Sequence, residues 1–190
     1  MPKILVFAGS TRVGSFNKRL ARFAASAARD AGADVTEIDL RDFPLPLYDG
    51  DLEESQGAPE NVTRLYQLLK EHQGLLLACP EYNSSITAVL KNTIDWVSRP
   101  RADDPPLAAF TGTTVALMSA SPGALGGMRG LVHVRAILSS IGMFVLPDQV
   151  SVPKAHEVFD DAGNMTNERL ANKVTSLATE LVRTTKKLSA

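Results

Sequence analysis

The side chains best suited to chemistry cluster in residues 9–17, directly after a short apolar run. Ser10, Ser15 and Asn17 can donate hydrogen bonds there, and Arg12 carries a fixed positive charge. A helical pattern follows, so backbone N–H groups and the positive end of a helix dipole would meet these side chains. Such a set of donors suits a bound phosphate. On this stretch alone, an ordinary Ser- and Gly-rich turn remains the alternative.

Two common nucleotide-binding loops differ from this stretch. Gly9 and Gly14 have the spacing of a P-loop, but the lysine and the hydroxyl residue that should follow Gly14 are missing. Ser15 and Phe16 stand in their place, so triphosphate hydrolysis is not expected. Thr11 occupies the second glycine of a dinucleotide fingerprint, where a side chain keeps a pyrophosphate away from the backbone. The stretch therefore favours a terminal monophosphate.

Two later loops also carry ligand-type residues after apolar runs. The second loop (residues 80–86) offers an aromatic face from Tyr82 and an amide from Asn83, which suit a flat ring with carbonyl and imide edges. The third loop (residues 119–127) contains glycines that let the backbone approach a ligand closely. Together with the first loop (residues 9–17), they would share one rim if the three preceding runs are neighbouring parallel strands.

Apolar runs alternate with helical patterns along the whole chain, which predicts a three-layer α/β domain with a parallel sheet and helices on both faces. The predicted strands are 4–8, 35–40, 74–79, 113–119 and 143–146. The predicted helices lie near 17–31, 59–72, 85–98, 127–141 and 167–188, with Thr166 as the N-cap of the last.

The character of each strand predicts the strand order. The first, third and fourth runs are continuously apolar, as in strands that helices cover on both faces. The second contains Thr36 and Glu37, and the fifth is followed closely by Pro147 and Pro153, which suits edge strands. This gives the flavodoxin-like order 2-1-3-4-5, whose ligand crevice opens at the carboxyl ends of strands one and three. We expect one such domain over residues 1–190.

Composition limits the class of protein. The 190 residues are 44% hydrophobic and 22% charged, which is ordinary for a globular domain. A net charge of −1 gives no electrostatic reason to expect nucleic acid or membrane partners. Cys79 is the only cysteine, so no internal disulfide is expected, and neither a secretory signal nor a run of transmembrane length is visible. We therefore expect a cytoplasmic protein.

Several other reactive side chains are not spaced as parts of a metal site or a catalytic site. His72, His133 and His156 are scattered without the spacing of metal ligands, so no metal site is expected. Cys79 adjoins the second loop, but a free cysteine of this kind is commonly a small buried apolar residue. Asp103 and Asp104 lie in a Pro-rich loop before the fourth strand, where a solvated turn is expected.

Motifs along most of the chain resemble those of the NADPH-dependent FMN reductase family. GSTRVGSFN at residues 9–17 resembles the G-S-x-R-x-x-S-x-N phosphate loop of that family. PEYNSS at residues 80–85 resembles its P-E-Y-N-x-S loop beside the isoalloxazine. LKNTIDW and SRP, within residues 90–100, are similar to the helix that follows, and SASPGALGGMR at residues 119–129 is similar to the third loop. The resemblance spans roughly residues 3–150.

The resemblance implies an FMN-dependent oxidoreductase. The residues implied for the FMN phosphate are Ser10, Arg12, Ser15, Asn17 and, through its N–H, Phe16. The residues implied for the ring are Pro80, Glu81, Tyr82, Asn83 and Ser84, with Ser119, Ser121 and Gly123 along another side. No side chain need act as acid or base, because the flavin carries the redox chemistry. Hydride would pass from NADPH or NADH to FMN and then to a small-molecule acceptor such as a quinone, an azo compound or chromate.

The resemblance also implies a homodimer, with dimers pairing further into homotetramers. Trp96 could lie in such an interface or in the core. Leu47 could wall the substrate site, meet a neighbouring subunit or simply pack against the rest of the chain. Thr87 and Ala88 replace the Pro-Gly that many relatives carry. Ser84 stands where several relatives carry a tyrosine that helps tie tetramers together.

Two other functions remain open at this level. A flavodoxin-like electron carrier would use the same fold and cofactor to serve a protein partner, although such carriers tend to be strongly acidic and this chain is near neutral. A phosphate-ligand binding module would use the first loop without redox chemistry. A flavin absorbance spectrum, and its response to NADPH, separates the three.

Overall fold

A parallel five-stranded sheet forms the centre of the fold. The computed structural model describes residues 1–160 and 162–189. The strands are β1 (Lys3–Ala8), β2 (Asp34–Glu37), β3 (Gly74–Ala78), β4 (Glu81–Tyr82), β5 (Ser85–Ile86), β6 (Thr114–Ala120) and β7 (Phe144–Val152). The sheet has the order β2-β1-β3-β6-β7, which confirms the predicted flavodoxin-like order. The two short strands β4 and β5 pair antiparallel as a separate hairpin.

Helices connect these strands and cover both faces of the sheet. They are α1 (Phe16–Asp30), α2 (Gly50–Gln56), α3 (Glu60–Glu71), α4 (Ala88–Val97), α5 (Met128–Ser140), α6 (Ala155–Val158) and α7 (Glu168–Leu188). β2 ends before the predicted residue 40, where one turn of 3-10 helix (Leu40–Asp42) begins. Within the described ranges, no helix is both long enough and apolar enough to cross a membrane.

Successive side chains of the central strands point to opposite faces of the sheet, and each face has its own hydrophobic core. Ile4 and Val6 of β1 pack against α1 and α7 on one face of the sheet. Leu5 and Phe7 point to the other face, where they join a core built with α3, α4 and α5. Because successive side chains of a strand point to opposite faces, a continuously apolar strand needs cover on both sides. The three-layer architecture predicted from the sequence is confirmed.

The last strand is longer than the sequence predicts. Its expected end is residue 146, but β7 continues through Pro147 to Val152. Its register with β6 shifts before Leu117, which pairs with Gln149. The extra residues form a bulge at the edge of the sheet, where a proline costs no ladder hydrogen bond.

Two helix starts also differ from the prediction. α4 begins at Ala88, with Thr87 as its N-cap, because Ser85 belongs to the β4–β5 hairpin rather than to the helix. The N-cap of α7 is Asn167, whose side chain accepts a hydrogen bond from the backbone N–H three residues later. The predicted cap, Thr166, instead donates its hydroxyl to a backbone carbonyl at the end of α6.

Trp96 and Asp104 both have structural roles. Trp96 is fully buried in the core and donates its Nε1–H to the Pro46 carbonyl at 2.9 Å. Asp104 accepts hydrogen bonds from Lys70 and Tyr66 at 2.5 and 2.7 Å, and these bonds lower its pKa. Burial, and then the bond to Asp104, raise the pKa of Tyr66 to about 12. Asp103 lies exposed in a turn, as predicted. The prediction of a solvated turn is wrong for Asp104.

Candidate functional site

The first, second and third loops meet over the carboxyl ends of β1, β3 and β6. They enclose a small cavity of about 70 Å³. Its lining residues are Ser10, Arg12, Ser15, Phe16, Asn17, Pro80, Glu81, Tyr82, Ala120, Ser121 and Pro122. Nine of the thirteen residues predicted for the site therefore come together in one cavity.

The start of α1 supplies the donors of this cavity. Ser15 is the N-cap residue, but its side chain makes no capping bond, and the first turn holds no acidic residue. The first helical bonds come from the N–H groups of Lys18 and Arg19, both to the Ser15 carbonyl. The N–H groups of Phe16 and Asn17 are therefore left for a ligand. An anion at this point is stabilised by these donors and by the helix dipole.

Two side chains of the first loop lie beside these donors. Ser10 is buried, and its Oγ accepts a hydrogen bond from the Arg12 N–H at 3.3 Å, which curls the loop. The Arg12 guanidinium is exposed and forms no ion pair within the described part of the chain. It is thus a positive charge held beside the helix start without a carboxylate partner.

Asn17 has a more structural position than the sequence suggests. Its Nδ2 donates to the Ala120 carbonyl at 2.7 Å, and its Oδ1 accepts from the Ala120 N–H at 3.0 Å. This paired contact is buried and joins the start of α1 to the end of β6. Asn17 therefore fixes the distance between the first and third loops, and only one Nδ2 hydrogen remains for a ligand.

The second loop is a tight hairpin. Asn83 and Ser84 form its turn with φ values of 51° and 66°, as in the left-handed turns that fit twisted hairpins. Tyr82 precedes the turn and is 54% exposed, so an aromatic face lies open at the rim of the cavity. Asn83 and Ser84 lie beyond the cavity lining, at the tip of the hairpin.

Glu81 anchors this hairpin to α5. Its carboxylate accepts two hydrogen bonds from Arg129, at 2.8 and 3.1 Å, and one from the Gly130 N–H at 2.9 Å. Gly127, the N-cap of α5, has no side chain, so Glu81 caps the helix from another segment. Burial raises the pKa of Glu81, but the bonds from Gly130 and Arg129 outweigh burial and lower it below its usual value of 4.5.

The Glu81 anchor predicts an acid-sensitive component of stability. A carboxylate with a lowered pKa stabilises the fold above its unfolded pKa, and this contribution disappears as the pH falls through the folded pKa. Glu81→Gln should cost about 1–2 kcal/mol near neutral pH, because the charge-assisted bonds are lost. Between about pH 6 and about pH 3, the variant should lose less free energy of unfolding than the native protein does.

Denaturant titrations at several pH values measure this difference. Glu180→Gln is the matched control. Hydrogen bonds from Arg183 and Thr184 lower the pKa of Glu180 too, but this ion pair lies more exposed on α7, where solvent screening should make its pH-dependent contribution smaller. If both variants followed the same pH profile, Glu81 would have no special part in anchoring the hairpin.

The third loop brings only part of its predicted residues to the cavity. Ser119 is fully buried beneath Gly127, and its hydroxyl has no hydrogen-bond partner among the described residues. Ala120 and Pro122, which lie between the predicted residues of this loop, line the cavity. Ser121 lines it as predicted, and its Oγ accepts from the Gly123 N–H at 3.1 Å. Gly123 therefore shapes the loop from outside the cavity lining.

A second cavity adjoins the first on the side of α4. It has a volume of about 170 Å³ and shares Ser10, Arg12 and Tyr82 with the first cavity. Its remaining lining residues are Gly9, Thr11, Thr87, Ala88 and Val89. The two cavities together form an open crevice at the carboxyl ends of β1 and β3, where doubly wound sheets bind ligands.

Elsewhere in the described part of the chain, reactive groups do not add to this crevice. Cys79 is buried, and burial raises the pKa of its thiol above the usual range. Among the residues the structure describes, no three His, Cys, Asp or Glu side chains are grouped so that they could hold a metal ion. A cavity of about 260 Å³ next to β2 contains Lys18 and Asp39, but these two form an ion pair with each other at 2.5 Å.

Comparisons with known proteins point to one family. Residues 2–157 match the family model of the NADPH-dependent FMN reductases. The chain is 36% identical over 145 residues to a quinone reductase of Escherichia coli K12, covering 76% of this chain and 73% of that enzyme. It is 33% identical over 169 residues to an NAD(P)H-dependent FMN reductase of Pseudomonas aeruginosa, covering 88% and 86%.

A solved structure agrees with these matches. The flavoenzyme FerB of Paracoccus denitrificans, an NAD(P)H:acceptor oxidoreductase, superposes with a TM-score of 0.82. The superposition covers 98% of each chain at 26% sequence identity.

Proposed function

The chain belongs to the NADPH-dependent FMN reductase family, and from that premise we propose that its crevice binds FMN and serves NAD(P)H-dependent reduction of a small-molecule acceptor. The observation that carries the proposal is the start of α1. The N–H groups at the helix start, the buried serines and Arg12, which forms no ion pair among the described residues, suit a monophosphate. The exposed Tyr82 lies beside them.

Separate groups of residues would bind the phosphate end and the ring end of FMN. Ser10, Arg12, Ser15 and the N–H groups of Phe16 and Asn17 would hold the phosphate. The second loop, with Pro80, Glu81, Tyr82, Asn83 and Ser84, would lie against the ring, and Ala120 to Pro122 would close another side. Bound FMN supplies the redox chemistry by accepting hydride from NAD(P)H and passing it to the acceptor.

The remaining residues of the crevice orient the bound flavin and leave it accessible, and they do not transfer protons. The Glu81 anchor and the Asn17 bridge hold the three loops in register, so little ordering is needed when a ligand binds. The crevice is open beside Tyr82, which suits flat acceptors that stack. We propose a quinone as the first acceptor to test, since the Escherichia coli relative is named a quinone reductase, with azo compounds and chromate as further candidates.

Steady-state kinetics with a panel of these acceptors, and with NADPH and NADH in parallel, tests the proposed activity. We expect reduction of at least one quinone, at a rate that depends on added FMN in protein stripped of flavin. A protein that binds FMN but reduces none of the acceptors would support the electron-carrier alternative.

The oligomeric state is part of the proposal. We propose a homodimer built on the outer face of α5, with dimers able to pair into tetramers. Leu125, Met128 and Val132 are large apolar residues that are 46%, 44% and 59% exposed on and next to this helix. A row of exposed apolar side chains is typical of an interaction site. The three lie next to the Arg129–Glu81 contact, so the interface would adjoin the crevice.

Val132→Asp should therefore shift the protein toward the monomer, because a carboxylate would be buried in the interface. Light scattering coupled to size-exclusion chromatography measures the mass. Ser26→Asp, at an exposed position of α1 on the opposite face of the sheet, is the control and should leave the mass unchanged. A native protein that is monomeric at high concentration would contradict the proposed dimer.

We also propose that residues 1–190 form one domain and that the protein works in the cytoplasm. α7 packs beside α1 on the same face of the sheet, which joins the two ends of the chain in one core. A single buried thiol suits a reducing compartment.

A further inference from the structure

Thr87 occupies the junction between the β4–β5 hairpin and α4. It is the N-cap of α4, and the residue is only 2% exposed. The hydroxyl donates a hydrogen bond to the Gly9 carbonyl at 2.8 Å and accepts one from the Leu90 N–H at 3.4 Å. One buried oxygen therefore contacts both the start of α4 and the first residue of the first loop.

Two hydrogen bonds and one side-chain contact fix the position of Gly9. Its N–H donates to the Ala78 carbonyl at the end of β3, at 2.9 Å, while its carbonyl accepts from Thr87. The Leu90 side chain packs directly on its α-carbon, since a Cβ there would lie 2.9 Å from two Leu90 atoms. The first turn of α4 therefore packs against Gly9, where the first loop leaves β1.

We propose that Thr87 is a positioning residue that sets the first loop relative to the second. This proposal rests on the proposed FMN site, because the first loop would hold the phosphate and the second the ring. A buried carbonyl left without its donor would shift toward water or another partner, and the loop would move with it. Residues 10–12 follow directly, so a shift of Gly9 would move the Ser10 and Arg12 donors.

The role depends on the hydroxyl and not on the shape of the side chain. Proline at this position could neither donate to Gly9 nor accept from Leu90. Valine has almost the same shape as threonine but no hydroxyl, and serine keeps the hydroxyl without the methyl group. Thr87→Val and Thr87→Ser therefore separate the two contributions.

Two measurements test the proposal. The first is the FMN dissociation constant of flavin-stripped protein, read by quenching of FMN fluorescence. The second is hydrogen exchange of residues 9–12 in the FMN-free protein, which needs no cofactor and no activity. Thr93→Val is the matched control, because Thr93 is also buried in α4 but donates its hydroxyl within the helix, to the Val89 carbonyl at 2.8 Å.

We expect Thr87→Val to weaken FMN binding by about 5- to 10-fold, the size of one lost hydrogen bond, and to speed exchange at residues 9–12. Thr87→Ser should stay within about 2-fold of the native affinity, because it keeps the same donor. Thr93→Val should leave both the affinity and the exchange of the first loop unchanged.

Three outcomes would overturn the proposal. One is a Thr87→Val variant with native FMN affinity and native exchange at residues 9–12. Another is faster exchange confined to Leu90 and its neighbours, which would reduce Thr87 to a helix cap. The third is equal effects of Thr87→Val and Thr93→Val. If the native protein bound no FMN, the proposed function would fail, whereas faster loop exchange in Thr87→Val alone would still support the positioning role.

Discussion

Replacing Arg12 with alanine should weaken FMN binding by about 10- to 100-fold. A hydrogen bond to a charged group contributes about 1.5–3 kcal/mol, and each 1.4 kcal/mol is about a factor of ten in affinity. Arg12 supplies the fixed charge of the first loop and forms no ion pair in the described part of the chain, so no carboxylate offsets its attraction for a phosphate. The N–H groups at the start of α1 remain in the variant, so binding should weaken rather than vanish.

Riboflavin makes this prediction specific to the phosphate. Because riboflavin lacks the phosphate, Arg12→Ala should change its affinity little. Arg22→Ala is the matched control, since Arg22 is an exposed arginine on α1 outside the crevice. Isothermal titration of FMN and riboflavin into the three proteins gives the comparison. An Arg12→Ala variant with native affinity for FMN would remove Arg12 from the phosphate site.

Replacing Gly127 with alanine should destabilise the fold by about 2–4 kcal/mol. Gly127 has φ of 84°, a left-handed conformation that costs an L-residue with a side chain about 1–2 kcal/mol. An added Cβ would also overlap the buried Ser119 Oγ and lie 2.9 Å from its Cβ. Overpacking of a buried site costs about 1–3 kcal/mol. The same change would displace the start of α5 and, with it, the partner of Glu81.

A second substitution tests the cause of this loss. Ser119→Ala removes the overlapping oxygen, so the double variant should recover part of the stability that Gly127→Ala loses. Ser119→Ala alone should be close to neutral, because the hydroxyl has no partner among the described residues. Denaturant titrations of the three variants measure the coupling. Additive losses would mean that the backbone conformation, and not the contact with Ser119, sets the cost.

The sheet could be predicted because its signals are local and redundant. The continuous apolar runs of β1, β3 and β6 indicate strands covered on both faces, and that requirement orders them at the centre. Once the order is known, the carboxyl ends of the central strands must share one edge. The meeting of the first, second and third loops then follows from topology.

Features that a competing local pattern conceals, or that depend on partners distant in sequence, were not predictable. Ser85 pairs with Tyr82 in a hairpin, and a helical pattern that begins at the same residue conceals it. Pro147 suggests the end of a strand, but the bulge at the sheet edge lets β7 continue. Asp104 looks solvated until α3 brings Lys70 and Tyr66 to it.

The same limit applies to the site. The residue types of the first loop predict its donors, and the structure brings them into one cavity. The Asn17 bridge to Ala120 and the Thr87 bond to Gly9 join residues 103 and 78 positions apart, and no pattern in the sequence pairs them. Ser119 is an example of a residue whose motif is misleading. Its position in the third loop suggests that it lines the cavity, but its side chain lies under Gly127.

The central claim is that this chain's crevice holds FMN in a form that NAD(P)H can reduce. Anaerobic mixing of the FMN-loaded protein with NADPH, followed by absorbance of the oxidised flavin, tests it most directly. We predict that the absorbance bleaches rapidly and returns when a quinone is added. Absorbance that stays unchanged with both NADPH and NADH would contradict the claim.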